Sequence, residues 1–96
     1  MPRYFFHVAD TLVIPDREGV ELDDLCVARV EAVRVAGEML RDHAPEFWNS
    51  GEWKVIVTGE DRLVLFSICC QALAAPWPAL SYDPQPGPTA LQVSRV

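Results

Sequence analysis

The fold is decided by one stretch of sequence, LCVARVEAVRVAGEMLRDHA, which spans residues 25–44. At 100° per residue its apolar side chains fall on one side of a helix, opposite most of the charged ones. The apolar side consists of Leu25, Ala28, Ala32, Val35, Ala36, Met39 and Leu40. Asp23 or Asp24 can cap the start of this helix, and Pro45 disfavours helical conformation at the residue before it. We therefore predict one helix whose alanines allow close approach to a sheet.

Two hairpins are predicted, one on each side of the helix. Residues 3–8 are aromatic and β-branched, and residues 12–14 form a short apolar run that Pro15 stops. Residues 53–58 alternate in polarity, and residues 63–68 follow after a turn that contains a glycine. The element order is therefore β-β-α-β-β.

Chain direction restricts how these strands can pair. The first strand fits between the second and the third, antiparallel to both, if the helix crosses over one face. We expect an α+β fold with a four-stranded, antiparallel-rich sheet of order 2-1-3-4 and the helix on one face. Because the first and fourth strands carry apolar residues on both sides, the other face must be covered by the rest of the chain or by a second copy.

The domain organisation follows from a change in composition. Residues 1–70 are predicted to form a single α+β domain, and residues 71–96 an irregular, proline-rich C-terminal extension. Five of the eight prolines lie between residues 76 and 88, where they prevent regular structure. The first half of this extension is expected to be held against the domain by Leu73, Trp77, Leu80 and Tyr82.

Composition narrows the class of protein. A chain of 96 residues, half of them hydrophobic, forms one small globular domain. Its net charge of −6 argues against nucleic-acid binding, which favours a basic face. The least polar stretch, residues 63–80, is interrupted by polar residues and prolines, so we predict no membrane span and a cytoplasmic location.

The cysteines and acidic residues predict no metal or cofactor site. Cys26, Cys69 and Cys70 lack the spacing of a zinc site, and neighbouring residues of a strand point to opposite faces. We expect buried, inert thiols, with Cys26 partly exposed and reactive. The acidic segment 16–24 lacks the ligand order of a calcium loop, so Asp16 and Gly19 are interpreted as turn residues.

The two histidines raise the question of an enzyme. His7 lies in the first strand and His43 at the end of the helix, so the fold could bring them together. A histidine near a helix C-terminus also suits the helix dipole. The structural interpretation is therefore favoured, and no catalytic residue is predicted. Trp53 is predicted to lie in the core, and Trp77 is the better candidate for an interface.

The opening residues 1–8, MPRYFFHV, resemble a family of short bacterial proteins known as domain of unknown function six-eight-nine-four. The similarity continues through Gly19, Glu21 and Leu22, into the helix, and to the second hairpin, over roughly residues 1–70. Two positions depart from the family pattern: Thr11 replaces a usual glycine, and Asp23 a usual proline. The resemblance implies the fold and no activity. A likeness of layout to HicB-type antitoxins is weaker.

The sequence leaves the function open. We expect a small, non-enzymatic protein-interaction domain that forms a homodimer, because its strands carry more apolar surface than one helix covers. One alternative is an antitoxin-like or accessory partner of another protein. The other is a small enzyme that uses His7 with His43 or with a nearby carboxylate.

Overall fold

The computed structural model describes residues 1–10, 13–75, 81 and 83–84. Seven elements follow one another in this order: β1 (Arg3–Ala9), β2 (Val13–Ile14), β3 (Val20–Glu21), α1 (Leu25–Asp42), α2 (Ala44–Ser50), β4 (Glu52–Thr58) and β5 (Val64–Gln71). The α+β class is confirmed, and so are the helix between two strand pairs and the hairpin at each end of the domain.

The sheet has the predicted strand order, here β2-β1-β4-β5, and all of its pairings are antiparallel. The central strand β1 pairs along its length with β4, from Phe5 opposite Thr58 to Ala9 opposite Lys54. One strand was not expected: β3 pairs with the start of β1, beside β2 on the same edge. A two-residue strand carries no alternation that a sequence pattern can detect.

The core lies between α1 and one face of the sheet. Ala28 and Ala32 of the helix are completely buried, and Val55 and Val57 of β4 are buried beneath them. Tyr4 of β1 joins the same cluster. The alanines have side chains short enough to let α1 lie close to the sheet, as the helical pattern predicts. On the outer side, Val30 and Val33 are exposed.

Both ends of α1 are fixed by local hydrogen bonds. The Asp24 carboxylate accepts a hydrogen bond from the Val27 N–H at 3.0 Å, which confirms one of the two predicted caps. The His43 N–H donates to the Met39 carbonyl at the other end. α1 ends at Asp42, close to the predicted end.

The expectation of a single helix is wrong, because α2 begins immediately after α1. Pro45 lies in the first turn of α2, where its missing N–H has no carbonyl partner to lose and its fixed φ suits a helix. This helix ends at Ser50, and Gly51 caps it with φ of 79°. Phe47 of α2 packs edge-on against Trp53, and Trp53 is buried in the core as predicted.

The C-terminal strand is longer than the sequence pattern indicates. β5 continues past Ile68 to Gln71, and the Ala72 N–H then donates to the Gly51 carbonyl at 2.9 Å. Leu73 was expected to hold the extension against the domain, but it is 78% exposed. Trp77, Leu80 and Tyr82 lie outside the described residues, as does most of the predicted extension.

Candidate functional site

His7 lies on the face of the sheet opposite α1, in a network of hydrogen bonds. Its Nδ1 accepts from the Asp16 backbone N–H at 3.0 Å, and its Nε2 lies 3.0 Å from the Thr58 Oγ1. The Phe5 ring is stacked beside the imidazole at a centroid distance of 6.5 Å. Because a backbone N–H can only donate, the neutral imidazole carries its proton on Nε2 and donates it to Thr58.

This arrangement does not activate Thr58 as a nucleophile. Activation needs a histidine nitrogen that accepts the hydroxyl proton. Here the Nε2 of the neutral ring is the donor, so the hydroxyl of Thr58 accepts and keeps its own proton for another acceptor. The pair can therefore hold a hydroxyl group in a fixed orientation toward a bound molecule.

Asp16 organises the segment that covers His7. Its Oδ2 accepts from the Phe6 N–H, and its Oδ1 accepts from the N–H groups of Glu18 and Gly19. Burial by itself raises the pKa of the Asp16 carboxyl, but these hydrogen bonds, Gly19 first, outweigh burial and lower it below its ordinary value. Asp16 and Gly19 are turn residues, as predicted, and Gly19 has φ of 70°.

The structure does not bring the two histidines together. His43 connects α1 to α2, and its ring lies 6.1 Å from that of Trp53, which belongs to the face covered by the helices. His7 lies on the opposite face beside Thr58. Because the sheet separates them, a catalytic pair of His7 and His43 does not form. The carboxylate of Asp16, which lies near His7, is engaged by backbone N–H groups.

A groove of about 550 Å³ opens beside His7. Its walls come from β1, from the segment before β3, and from the end of β4 with the turn that follows. The residues that line it are Phe5, His7, Pro15, Asp16, Arg17, Thr58, Gly59, Glu60 and Arg62. Sequence patterns gave no signal for Arg17, Glu60 or Arg62. Glu60 and Arg62 reach the groove through the pairing of β1 with β4, and Arg17 reaches it through the loop segment that Asp16 holds against β1.

The cysteines are less buried than predicted. Cys26 and Cys69 are exposed and Cys70 is half-buried, so the expectation of buried thiols is wrong for Cys69. Cys69 and Cys70 diverge to opposite faces, as strand geometry requires. The Cys69 thiol donates to the Glu52 carboxylate at 3.1 Å, and this hydrogen bond raises the pKa of the thiol. Cys69 is therefore a weak nucleophile at neutral pH.

Two further observations concern metals and membranes. Within the described residues, no group of three or more His, Cys, Asp and Glu side chains is placed to hold a metal ion. In the same part of the chain, no helix combines the length and the apolar character that crossing a bilayer requires.

The outer edge of β5 is the second distinctive surface. In an antiparallel pair, every second residue of a strand forms its backbone hydrogen bonds with the neighbouring strand. Because the Ala72 N–H donates to the Gly51 carbonyl, the residues of β5 that bond to β4 are Phe66, Ile68 and Cys70. The backbone groups of Leu65, Ser67, Cys69 and Gln71 then point away from the sheet. Among the described residues no strand pairs with this side of β5.

The same alternation of bonded residues extends across β4 to β1. It requires that the N–H groups of Tyr4, Phe6 and Val8 point away from β4. Tyr4 and Val8 meet β3 and β2 there, and the Phe6 N–H bonds to Asp16. The bond from the Phe6 N–H to Asp16 therefore agrees with the assignment made for β5.

The architecture is that of a small α+β domain with helices on one face, a polar groove on the other and a long edge strand, β5, whose outer side pairs with no strand among the described residues. A family model described as Domain of unknown function (DUF6894) matches residues 3–71, and the chain belongs to this family. The match extends from the first residue of β1 to the last residue of β5. Comparison with curated proteins and with solved structures finds no match.

Proposed function

We propose that this domain is a protein-interaction module that self-associates as a homodimer through the outer edge of β5. The observation that carries the proposal is the composition of this edge. β5 runs for eight residues, VLFSICCQ, with neither a charge nor a proline. Edge strands of this kind are templates for another strand, and proteins that avoid such pairing shorten the edge or place lysine or proline on it.

Pairing with a second copy fits the symmetry of an antiparallel strand. A two-fold axis perpendicular to the sheet joins β5 to the same strand of the partner and keeps each face on its own side. The outward N–H and carbonyl groups of Leu65, Ser67 and Cys69 then acquire hydrogen-bond partners. Phe66 and Ile68, which are half-buried beside α1, extend the helix-covered core across the junction.

The cellular setting is part of the same proposal. The three cysteines are free, and two of them are exposed, which suits the reducing cytoplasm of a bacterium. In the alternative case of an accessory or antitoxin-like protein, the β5 edge receives a strand from a different protein. That case predicts a chain that stays monomeric by itself, so it is distinguishable by experiment.

Two lysine substitutions on opposite edges test the proposal. Ser67→Lys places a charge on the β5 edge without disturbing its bonds to β4, whereas Val13→Lys places the same charge on β2, where Val13 is 62% exposed. The expected result is a wild-type dimer, a monomeric Ser67→Lys variant and a dimeric Val13→Lys variant in sedimentation equilibrium. Because both sites are exposed, each change alters the free energy of unfolding by only about 0.5 kcal/mol.

Amide hydrogen exchange gives an independent measurement. In a dimer, the N–H groups of Leu65, Ser67 and Cys69 are protected and lose protection on dilution. The N–H groups of Phe66 and Ile68 stay protected at all concentrations because they bond to β4. A wild-type chain that remains monomeric at high micromolar concentration, with rapidly exchanging amides at Leu65, Ser67 and Cys69, contradicts the proposal.

A further inference from the structure

The groove beside His7 contains more free positive charge than the rest of the chain suggests. Arg17 and Arg62 both line it, and within the described residues neither has an ion-pair partner. Arg29 and Lys54 also lack one but lie outside the groove, whereas Arg3, Arg34 and Arg41 each have at least one. Two arginines without an ion-pair partner in one groove are unexpected in a chain with a net charge of −6. Two guanidinium groups in one cavity are typical of sites that bind phosphate or carboxylate.

The acidic residues of the groove, Asp16 and Glu60, form no ion pair with Arg17 or Arg62 among the described residues. Both oxygens of Asp16 are engaged by the backbone N–H groups of Phe6, Glu18 and Gly19. Glu60 is then the one acidic side chain of the lining whose oxygens have no hydrogen bond to the described residues. The four charged side chains of the lining, Arg17, Arg62, Asp16 and Glu60, sum to zero. The two guanidinium groups therefore attract an oxyanion through direct charge-assisted hydrogen bonds and not through a net positive charge of the groove.

Arg62 is held at the groove in an unfavourable backbone conformation. Its φ of 68° makes it the one residue other than glycine with positive φ in the described part of the chain. The turn that contains it is closed by hydrogen bonds from the Gly59 N–H to the Leu63 carbonyl and from the Arg62 N–H to the Gly59 carbonyl. A positive φ is common at the last residue of such hairpin turns, and here it fixes the direction in which the Arg62 side chain leaves the turn.

The rest of the lining supplies an apolar wall and an oriented hydroxyl. The Phe5 ring and Pro15 provide flat apolar surface, and the Thr58 hydroxyl is oriented by His7. The volume of about 550 Å³ lies within the range of small-molecule sites. We propose that the groove binds a small molecule that carries a phosphate or carboxylate on a flat apolar body. The oxyanion lies between Arg17 and Arg62, and the apolar body lies against Phe5.

The proposal is independent of self-association and is tested with defined probes. Phenyl phosphate and benzoate carry a ring and an oxyanion, whereas phenol carries the ring alone. Titration of the wild-type chain with either oxyanion is expected to give saturable NMR shifts of the amides of Phe5, Thr58 and Gly59, while phenol gives none. The tighter of the two probes assigns the class of oxyanion.

Three Arg→Gln substitutions test whether binding of the probe depends on Arg17 and Arg62. Arg17→Gln and Arg62→Gln are each expected to weaken the tighter probe about tenfold, as the loss of a charge-assisted hydrogen bond implies. Arg29→Gln removes an exposed arginine on α1 that has no ion-pair partner among the described residues, and it should leave the affinity unchanged. The amide spectrum away from the groove shows whether each variant is folded. Shifts that do not saturate, that include phenol, or that weaken equally in all three variants overturn the proposal.

Discussion

The two edges of the sheet are built in opposite ways. On one edge β1 is covered by two strands of only two residues each, and the Asp16 carboxylate fills the gap between them by accepting the Phe6 N–H. On the other edge β5 presents eight residues with no side chain bonded to its outward backbone groups within the described part of the chain. The outer side of β1 is thus closed by the chain itself, and at this closed edge only the two-residue strands β2 and β3 face outward. The long strand β5 is therefore the edge better suited to a partner.

The largest loss of stability is expected from a substitution in the core between α1 and the sheet, on which both edges depend. Ala32→Asp places a charge at a position with 0% exposure, between α1 and the sheet, where no described partner can neutralise it. We expect a loss of about 4 kcal/mol in the free energy of unfolding, measured by urea denaturation, which is comparable with the total stability of a domain this small. Both edges are then lost together.

The adjacent position on α1 provides the control for that substitution. Val33 is 62% exposed, so Val33→Asp makes a similar chemical change on the solvent side of the helix. Its effect should stay within about 0.5 kcal/mol. Equal effects of the two substitutions would mean that α1 does not pack through its alanines.

A smaller effect is expected at the closed edge, where Gly19 makes room for β1. A Cβ at Gly19 would lie 2.8 Å from both the Phe5 ring and the Tyr4 carbonyl oxygen, and φ of 70° adds strain for any side chain. Gly19→Ala should therefore lower the free energy of unfolding by about 2–3 kcal/mol. It should also accelerate amide exchange in β1 while leaving β5 unchanged.

Gly37→Ala is the control for Gly19→Ala, and its expected effect on stability has the opposite sign. It lies within α1, and a Cβ there meets no atom within 4 Å. Gly37→Ala should stabilise the protein by up to about 1 kcal/mol, because alanine has the higher helix propensity. Destabilisation by both substitutions would show that close contact at Gly19 is not the reason for its effect.

The smallest of the three effects concerns the carboxylate that fills the gap in the closed edge. Asp16→Asn keeps one carbonyl oxygen, so it can serve either Phe6 or the Glu18 and Gly19 pair, but not both. We expect a loss of about 1–3 kcal/mol at neutral pH, measured by chemical denaturation. Asp23→Asn, on an exposed side chain without a described hydrogen bond, should have no measurable effect.

The lowered pKa of Asp16 makes the stability difference between the wild type and Asp16→Asn depend on pH. In the folded state this pKa lies below the value of 3.8 that the carboxyl has in the unfolded chain. The stabilisation is therefore complete above pH 3.8 and is lost as the pH falls through the lower, folded-state pKa. The difference in stability between the wild type and Asp16→Asn should shrink over that acidic range, and a constant difference would contradict the role given to the charge.

Local patterns predicted those features whose physical cause is also local. The period of the apolar residues located the buried face of α1, because only one side of an amphipathic helix can leave water. Alternation and turn residues located both hairpins. Pro45 illustrates the limit of such patterns, because a proline is compatible both with the end of one helix and with the first turn of the next. The choice of the second depends on Phe47 packing against Trp53.

The candidate site was less predictable than the fold. His7 was identified as a candidate, but its partners Thr58 and Asp16 reach it through strand pairing and through a loop that crosses the sheet edge. The expected meeting with His43 fails because α1 and His7 lie on opposite faces. Which face a strand residue occupies follows from alternation, but which face the helix covers depends on the crossover.

The sequence by itself determined the α+β class, the strand order and the alanine face that α1 buries, because burial of apolar side chains at fixed periods leaves few arrangements. The tertiary structure alone decided how the two sheet edges differ. Backbone groups of every strand are chemically alike, so their pairing depends on what reaches them in space. A carboxylate reaches Phe6 at one edge, and at the other β5 is left open among the described residues.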